Sequence, residues 1–259
     1  MTARIAIIGT GNVAWHLART FENAGHIITE VYSRDIIKAK HFTTDFFNAS
    51  ATNSLDFRKS TAQIFILAIS DDAIEEVASA LTLPQDAVLA HTSGSVSMSA
   101  LGYAQTKNIG VFYPIQTFSK GKKVNFDELP IGIEGDNDFT ESILLRLGSS
   151  VSTKTLVMNS QARKNIHLAA VFACNFANHM FTISKEIMSN KGMDFNLLAP
   201  LIEETLSKSL QIGPENAQTG PAKRGDFETL DKHYEALSKS EEIAEIYRII
   251  SQHIIDYYA

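Results

Sequence analysis

Short apolar runs alternate with helical patterns along the first half of the chain. Continuously apolar runs predict strands buried on both faces, because half-exposed strands alternate apolar and polar residues. Between the runs, apolar residues recur at helical spacing, as at Val13, Leu17 and Phe21. This alternation predicts an α/β fold, a Rossmann-type doubly wound, mainly parallel sheet with helices on both faces. The predicted strands are Arg4–Gly9, Ile27–Tyr32, Ile64–Ser70, Ala87–Thr92 and Val111–Tyr113, and the predicted helices are Asn12–Asn23 and Ile36–Phe47.

The second half of the chain carries helical patterns only. After about residue 152 no strand signal occurs, and one long helical stretch covers Asn159–Asn190. We therefore predict a Rossmann domain over residues 1–152 and an all-α domain over residues 153–259. The long helix exceeds what a small isolated domain needs, so we expect it to pack along the first domain or a second subunit. Further helices are predicted at Asn196–Gln211, Glu228–Ser238 and Glu241–Tyr258.

Composition and charge narrow the class of protein. The 259 residues carry a formal net charge of −6 without a long basic run, which argues against nucleic acid or an anionic membrane as the main partner. The single cysteine, Cys174, excludes an internal disulfide, and no zinc-type cluster occurs, so no metal is expected. No signal-peptide pattern precedes the first strand, and no apolar run approaches the roughly 20 residues of a membrane helix. These features predict a cytoplasmic protein.

The turn after the first strand has the G-x-G-x-x-A form of a dinucleotide site. Gly9 permits a tight bend, Gly11 lets the backbone approach a pyrophosphate, and Ala14 lets helix and strand pack closely. The alternative is a purely structural corner. We favour cofactor binding, because the turn follows a buried strand, opens an amphipathic helix and precedes a second strand. The residues predicted to contact the cofactor here are Gly9, Thr10, Gly11, Asn12 and Val13.

In such folds, the residue at the end of the second strand contacts the ribose of a bound dinucleotide. An acidic residue at that point favours NAD, whereas this chain has Ser33 and Arg34. A hydroxyl and a guanidinium suit a 2′-phosphate, so we predict NADP as the cofactor. The neighbouring Asp35 is expected to cap the following helix.

Polar side chains also follow the strand that ends near residue 70. Ligands of open α/β sheets lie beyond the carboxyl ends of the strands, so Ile69, Ser70 and Asp71 are predicted to line the cofactor groove. For Asp71 the alternative is equally weighted, namely that its carboxylate caps a helix.

The next strand ends in a His-Thr-Ser-Gly sequence that points to the same groove. Thr92 and Ser93 are predicted to contact the cofactor, and Ser93 with Gly94 to hold a substrate carboxylate or the nicotinamide amide. The alternative for Ser93 is a cap of the following helix. His91 is expected to be a hydrogen-bonded core residue.

The long helix carries polar residues on one side of its helical wheel. Arg163 and Lys164 are expected to face solvent. His167, Asn175 and Asn178 instead lie within the apolar run "LAAVFACNFANHMF", where buried amides and imidazoles require partners. A substrate or a structural network can supply those partners. We favour the substrate, with His167 and Asn175 as catalytic residues and Asn178 as a binding residue.

The "TGPAKRGD" segment, Thr219–Asp226, joins two predicted helices. One interpretation is a polar loop in which Asp226 caps the next helix. The other is a loop that reaches a substrate anion through Arg224, from the same or the other subunit of a dimer. We favour the second interpretation.

Together these motifs resemble a known family. "GTGNVAWHLA", "VYSR", "ILAISDDAI", "HTSG", "YPIQTF", "AAVFACNFANHM" and "TGPAKRGD" are similar to those of Rossmann-like NADP oxidoreductases, some of them coenzyme F420-dependent, with an uncharacterised helical C-terminal domain. The resemblance implies a fold like 6-phosphogluconate dehydrogenase, pyrroline-5-carboxylate reductase and ketopantoate reductase, and a homodimer formed through the helical domain. It implies no particular substrate. The family tends to have His-Pro where this chain has Tyr113-Pro114.

These features predict an NADP-dependent oxidoreductase that transfers a hydride to or from a small C=O or C=N substrate between the domains. Imidazole groups ordinarily exchange protons near neutral pH, so His167 is predicted to donate a proton or hydrogen bond while Asn175 orients substrate or nicotinamide. Better-known relatives use a lysine and an asparagine four residues later, whereas Lys164 is followed there by Leu168. The alternatives are a non-catalytic dinucleotide-binding sensor or scaffold and a deazaflavin-dependent NADP oxidoreductase.

Overall fold

A mostly parallel β-sheet occupies the first part of the chain, in a computed structural model that describes residues 2–259. Its strands are β1 (Arg4–Ile8), β2 (Ile27–Tyr32), β3 (Ser50–Thr52), β4 (Ile64–Leu67), β5 (Val88–His91), β6 (Ile109–Pro114), β7 (Ile131–Gly135) and β8 (Thr155–Val157). Within the described residues they lie in the order β3-β2-β1-β4-β5-β6-β7-β8, and only β6 and β7 pair antiparallel. The predicted α/β, mainly parallel fold is confirmed.

Helices cover both faces of this sheet. Alternate residues of β1 point to opposite faces: Ile5 and Ile7 pack with α1 and α4 residues, whereas Ala6 and Ile8 pack with α3 residues. All four residues of β4 and of β5 are buried, which explains the apolar sequence of β4 and of the first three residues of β5. The helices that follow the strands are α1 (Asn12–Asn23), α2 (Ile36–Thr43), α3 (Ile74–Ala80), α4 (Asp138–Ser149) and α5 (Ser160–Ala170).

Capping residues fix where several helices begin. Asp35 accepts a hydrogen bond from the Ile37 amide at 2.9 Å and caps α2, as expected. Asn137 caps α4 and Asn159 caps α5 in the same way. Each side chain satisfies a backbone amide that has no partner inside the helix.

Four elements of the sheet domain were not predicted, namely β3, β7, β8 and α4. The strands β3 and β8 have three residues each, too few to show a period. Two glycines interrupt β7, and one of them, Gly132, faces the Met158 side chain, so the apolar pattern is broken where packing is closest.

The chain divides into two compact units after Cys174. The boundary lies beyond the predicted residue 152 because β8 pairs with β7 and α5 belongs to the first unit. The predicted long helix is not α-helical throughout, since Val171–Phe176 adopts a π-helix. The second unit, Asn175–Ala259, contains α6 (Ala177–Ser189), α7 (Ala199–Ile212), α8 (Pro214–Ala217), α9 (Pro221–Arg224), α10 (Phe227–Ala236) and α11 (Glu241–Tyr258).

Many apolar side chains of the helices remain exposed in the single chain. Among the described residues, α6 and α7 contain no buried residue. Leu206 and Leu210 of α7 are 61% and 80% exposed. Isolated exposed leucines are ordinary, but whole helices without a buried face are not typical of a monomer.

The helical run Ser160–Ser189 corrects an expectation about membranes. It contains a window of mean hydropathy 1.3 that is long and apolar enough to cross a membrane by length and composition, and none of that window is buried. The sequence criterion was an uninterrupted apolar run. It missed this segment because polar side chains interrupt the run although the mean hydropathy of the window stays high. One such helix is weak evidence for a membrane span, because helices that pack against protein pass the same test.

We predict that Gly9→Ala destabilises the fold by roughly 2 kcal/mol or more. Gly9 has φ +125°, and a Cβ there would clash with the Ala68 carbonyl oxygen. Gly11→Ala is the matched control, because its φ is −78° and a Cβ would meet no atom within 4 Å. Urea unfolding of both variants measures the difference, and equal losses would contradict the role given to the Gly9 backbone.

Candidate active site

A cleft of about 650 Å³ opens at the carboxyl ends of β1, β2 and β4. The strand order reverses between β1 and β4, which is where open α/β sheets bind ligands. Residues that follow β1, β2, β4 and β5 line it, together with residues from the starts of α1, α2 and α3. Of the residues predicted to contact a cofactor, those that line the cleft are Gly9, Thr10, Gly11, Asn12, Val13, Ser33, Arg34, Ile69, Ser70 and Thr92.

The glycine turn leaves room for a ligand at one of its two glycines. Gly9 is closely packed against Ala68 and serves the backbone bend. A Cβ on Gly11 would meet nothing within 4 Å, so this position opens into the cleft at the N-terminus of α1. Helix N-termini attract anions, and the open space there fits the pyrophosphate of a dinucleotide. The Asn12 side chain donates a hydrogen bond to the Phe118 carbonyl at 3.0 Å and thus holds a neighbouring loop.

Two cations stand at the end of β2. Arg34 lines the cleft, and among the ion pairs of residues 2–259 none joins it to Asp35, whose carboxylate caps α2. Lys38, one helical turn later, also lines the cleft and was missed from the sequence. Its signal was its position on the first turn of the helix that follows β2, next to the strand end that carries Arg34.

Asp71 and Ser93 do not line the cleft but build its neighbouring loop. The Asp71 carboxylate accepts a hydrogen bond of 2.5 Å from the Ser95 hydroxyl, and no cap bond from Asp71 is seen in the described residues. The Ser93 hydroxyl accepts bonds from the Ser95 and Val96 amides, while Ser97 caps the following short helix. Neither capping alternative therefore describes these residues, because both side chains hold the loop after β5.

Arg163 is fully buried, which corrects the expectation that it faces solvent. One terminal nitrogen, Nη1, donates to the carbonyls of Ser93, Gly94 and Val96 at 2.9, 3.3 and 2.6 Å. The other, Nη2, bonds Glu134 at 3.1 Å and the Ser160 hydroxyl at 2.9 Å. The guanidinium thus ties the loop after β5 to β7 and to the start of α5. Lys164 is exposed, as expected.

His91 lies in the core beneath this loop, as expected. Its Nδ1 accepts a hydrogen bond from the Ser93 amide at 3.1 Å. Burial, reinforced by the positive charge of Arg163, lowers the pKa of His91 to about 4. His91 is therefore neutral at neutral pH.

His167 meets Tyr113 and Gly94 beside the cleft. The Tyr113 hydroxyl lies 3.4 Å from His167 Nδ1, and the two rings are 6.4 Å apart at an angle of 70°. A Cβ on Gly94 would lie 2.6 Å from His167 Nδ1 and 2.8 Å from Tyr113 Cζ. The predicted residues His167 and Gly94 are thus brought together, and Tyr113, at the end of β6, joins them.

Asn175, Asn178 and Arg224 belong to the second unit. The two asparagines are exposed in the single chain, so the premise that they are buried amides is wrong. The helical wheel that grouped them with His167 assumed 3.6 residues per turn, which the π-helix at Val171–Phe176 does not keep. Arg224 is 65% exposed and lies 3.9 Å from Asp226.

The segment around Arg224 contains a short helix rather than an irregular loop. Asp226 accepts a hydrogen bond from the Thr229 amide at 3.2 Å and caps α10. Its capping role is therefore present, and substrate binding by Arg224 stays a prediction.

Tyr113 and Arg163 are the main site residues that sequence reasoning missed. Tyr113 had a usable signal, because it ends a predicted strand whose carboxyl end faces the groove. Arg163 had none, since the three loop carbonyls that it bonds lie 67 to 70 residues away in the chain. Other cleft residues without a distinctive pattern are Gln116 and Phe118. The described residues contain no group of three His, Cys, Asp or Glu side chains that could hold a metal ion.

Comparison with known proteins places this geometry in a family. The family described as NADP oxidoreductase, coenzyme F420-dependent, matches residues 4–93, and a domain of unknown function, DUF2520, matches residues 129–254. A crystal structure of a proposed NADP oxidoreductase from Bacteroides fragilis is 33% identical, with a TM-score of 0.90 and 98% of each chain covered. The chain belongs to this NADP oxidoreductase family. It carries the family's uncharacterised C-terminal domain, and no curated protein matches it.

More distant structures share the fold. A protein of Thermotoga maritima is 24% identical with a TM-score of 0.72, and 98% of each chain is covered. A reductive aminase from Aspergillus terreus, solved in complex with NADPH and ethyl-5-oxohexanoate, is 16% identical with a TM-score of 0.73 and covers 99% of this chain and 95% of its own. The Rossmann-like domain and helical C-terminal part predicted from the sequence are therefore shown.

We predict that Arg163→Met lowers the free energy of unfolding by about 3–5 kcal/mol, because it leaves Glu134 without its ion-pair partner and three loop carbonyls without their hydrogen-bond donor. Arg58→Met is the matched control, since Arg58 pairs with Asp56 at the surface, with side chains 72% and 46% exposed. That control should leave the free energy of unfolding nearly unchanged. Urea unfolding compares the two variants, and similar losses would refute the anchoring role of Arg163.

Proposed function

We propose that this protein is an NADP-dependent oxidoreductase that transfers a hydride to or from a small C=O or C=N compound. The observation that carries the proposal is the open space at Gly11, set at the N-terminus of α1 and in the same cleft as Arg34. A pyrophosphate fits the open space at the N-terminus of α1, and a 2′-phosphate fits the guanidinium of Arg34. Membership of an oxidoreductase-like, NADP-binding family supports the same conclusion.

The cofactor preference follows from the charges at the end of β2. Arg34 and Lys38 both line the cleft, and Asp35 is engaged as a helix cap. An acidic side chain free to bind a ribose hydroxyl would instead favour NAD. Two cations and the Ser33 hydroxyl favour a phosphate carrying roughly −1.5 to −2 charges.

His167 is the proposed proton donor to the reduced oxygen or nitrogen. It is partly exposed, and it lies beside the loop whose Thr92 lines the cleft. Bound NADP would supply or accept the hydride. The loop after β5, held by Arg163, supplies fixed backbone groups with which Ser93 and Gly94 are proposed to position substrate or nicotinamide. Asn175, Asn178 and Arg224 are proposed to complete substrate binding.

A sensor or scaffold that binds the dinucleotide without turnover is the competing proposal, and a deazaflavin-dependent oxidoreductase is another. NADPH oxidation in a screen of keto acids and cyclic imines separates the enzyme from the sensor. Tight NADPH binding without oxidation of any compound would favour the sensor. Oxidation that requires added deazaflavin would favour the third function.

We also propose a homodimer formed through the helical unit. The apolar side chains of α7 are exposed in the single chain, and the window within Ser160–Ser189 is unburied. Faces of this kind require a partner in water, and a second copy supplies an equally apolar surface. A membrane is the alternative cover for the same surface.

We predict that Arg34→Ala weakens NADP binding about tenfold or more and changes NAD binding little, because only NADP carries the 2′-phosphate. Lys38→Ala should have a smaller effect of the same kind. Lys40→Ala is the matched control, since Lys40 is exposed on α2 and does not line the cleft. Calorimetry with both cofactors provides the dissociation constants. Equal losses for the two cofactors, or a parent protein that prefers NAD, would contradict the assignment.

We predict a dimer in solution that the double variant Leu206→Lys/Leu210→Lys converts to monomer, because each lysine places a charge on the apolar surface. Glu204→Lys is the control on the same helix, and it should stay dimeric. Light scattering after gel filtration measures the mass. A monomeric parent that pellets with phosphatidylcholine vesicles would support the membrane alternative instead.

A further inference from the structure

A tyrosine and a histidine from distant parts of the chain form a pair next to the proposed substrate position. The Tyr113 side chain lies at the carboxyl end of β6 and is 8% exposed, whereas His167 on α5 is more open. Their contact joins the Tyr113 hydroxyl to His167 Nδ1 at 3.4 Å. The other ring nitrogen, Nε2, is not engaged by this contact.

The direction of this hydrogen bond follows from the partners available to the Tyr113 hydroxyl. Burial raises the pKa of Tyr113, and the Arg163 charge only partly opposes that effect. The phenol therefore keeps its proton at neutral pH. A protonated phenol can donate or accept, but within residues 2–259 its hydroxyl makes no hydrogen bond except that to His167, so its buried proton has an acceptor when it points to Nδ1 and has none when Nδ1–H donates to the phenol oxygen.

We propose that Tyr113 is a positioning residue that fixes the tautomer of His167. The Tyr113 hydroxyl donates to Nδ1, and the neutral imidazole therefore carries its proton on Nε2. Nε2–H is then the group that donates to the substrate. This inference rests on the proposed function for its catalytic meaning, but the tautomer itself exists whether or not the protein is an enzyme.

Gly94 lies against both rings and leaves the space that lets them meet. Its Cα lies so close that an added Cβ would meet His167 Nδ1 at 2.6 Å and Tyr113 Cζ at 2.8 Å. Its φ lies outside the left-handed range, so backbone conformation does not call for a glycine here. The reason for a glycine is the lack of space for a side chain. Arg163 sets the position of Gly94 by bonding its carbonyl, and Arg163 is one helical turn before His167. The same helix thus places both the loop and the imidazole.

The test compares the parent protein with Tyr113→Phe, which removes the hydroxyl and keeps the ring. In ¹⁵N-histidine-labelled protein in mildly alkaline buffer, long-range ¹H–¹⁵N correlations identify the ring nitrogen that bears the proton. The His167 signals are assigned by their loss in His167→Ala. The parent should carry the proton on Nε2, and Tyr113→Phe should shift the His167 population toward Nδ1–H. A parent with the proton on Nδ1, or unchanged signals in Tyr113→Phe, would overturn the proposal.

The matched control is Tyr247→Phe. Tyr247 hydrogen-bonds His233 Nδ1 at 2.9 Å in the helical unit, so this variant removes an equivalent hydroxyl elsewhere. It should move the signals of His233 and leave those of His167 in place. Movement of the His167 signals in this control would show that they report general loosening and would overturn their assignment to the Tyr113 contact.

A second readout separates this proposal from the proposed function. With a keto acid or cyclic imine found to oxidise NADPH, Tyr113→Phe should lower kcat roughly fivefold to tenfold with little change in KM, as expected for one lost hydrogen bond. In the His167→Ala background the same substitution should have no further effect, because Tyr113 acts through His167. Additive losses would overturn the positioning role. Absence of turnover in the parent would refute the proposed function, while the tautomer measurement still decides the hydrogen bond.

Discussion

One fully buried guanidinium holds the candidate site together. Removing a cation from water is costly, and such a group persists only when hydrogen bonds and an opposite charge surround it. Arg163 meets this condition with three backbone carbonyls from the loop after β5 and with Glu134 on β7. These bonds hold the loop, including Gly94, against β7 and the start of α5.

Most of the sheet could be predicted from the sequence because burial on both faces leaves a plain pattern. The apolar runs that became β1, β4 and β5 sit between two layers of helices, where apolar side chains predominate. The glycine turn was recognisable for a similar reason, since its backbone allows few residue types. Three-residue strands such as β3 and the glycine-containing β7 leave no such pattern, because they contain too few consecutive apolar residues.

The candidate site was predictable only where it is built from single strand ends. Ser33, Arg34 and Thr92 could be placed at the groove because each follows an apolar run directly. The contacts that organise the site join residues remote in sequence, such as Tyr113 and His167, which are 54 positions apart. The π-helix at Val171–Phe176 also escaped prediction, because its sequence has the same composition as an α-helix and only the hydrogen bonds differ.

The neutral imidazole of His91 makes the stability of the fold depend on pH. In the unfolded chain the pKa of this group is its ordinary value of 6.5, whereas in the folded chain burial lowers its pKa to about 4. Between these values, unfolding takes up a proton, so mass action by hydrogen ions favours the unfolded state as the pH falls. The contribution of neutral His91 to the free energy of unfolding is fully present above pH 6.5 and is lost as the pH falls toward 4. His26, whose pKa burial also lowers, acts in the same direction. Acid therefore works against this protein through two imidazoles that must stay uncharged.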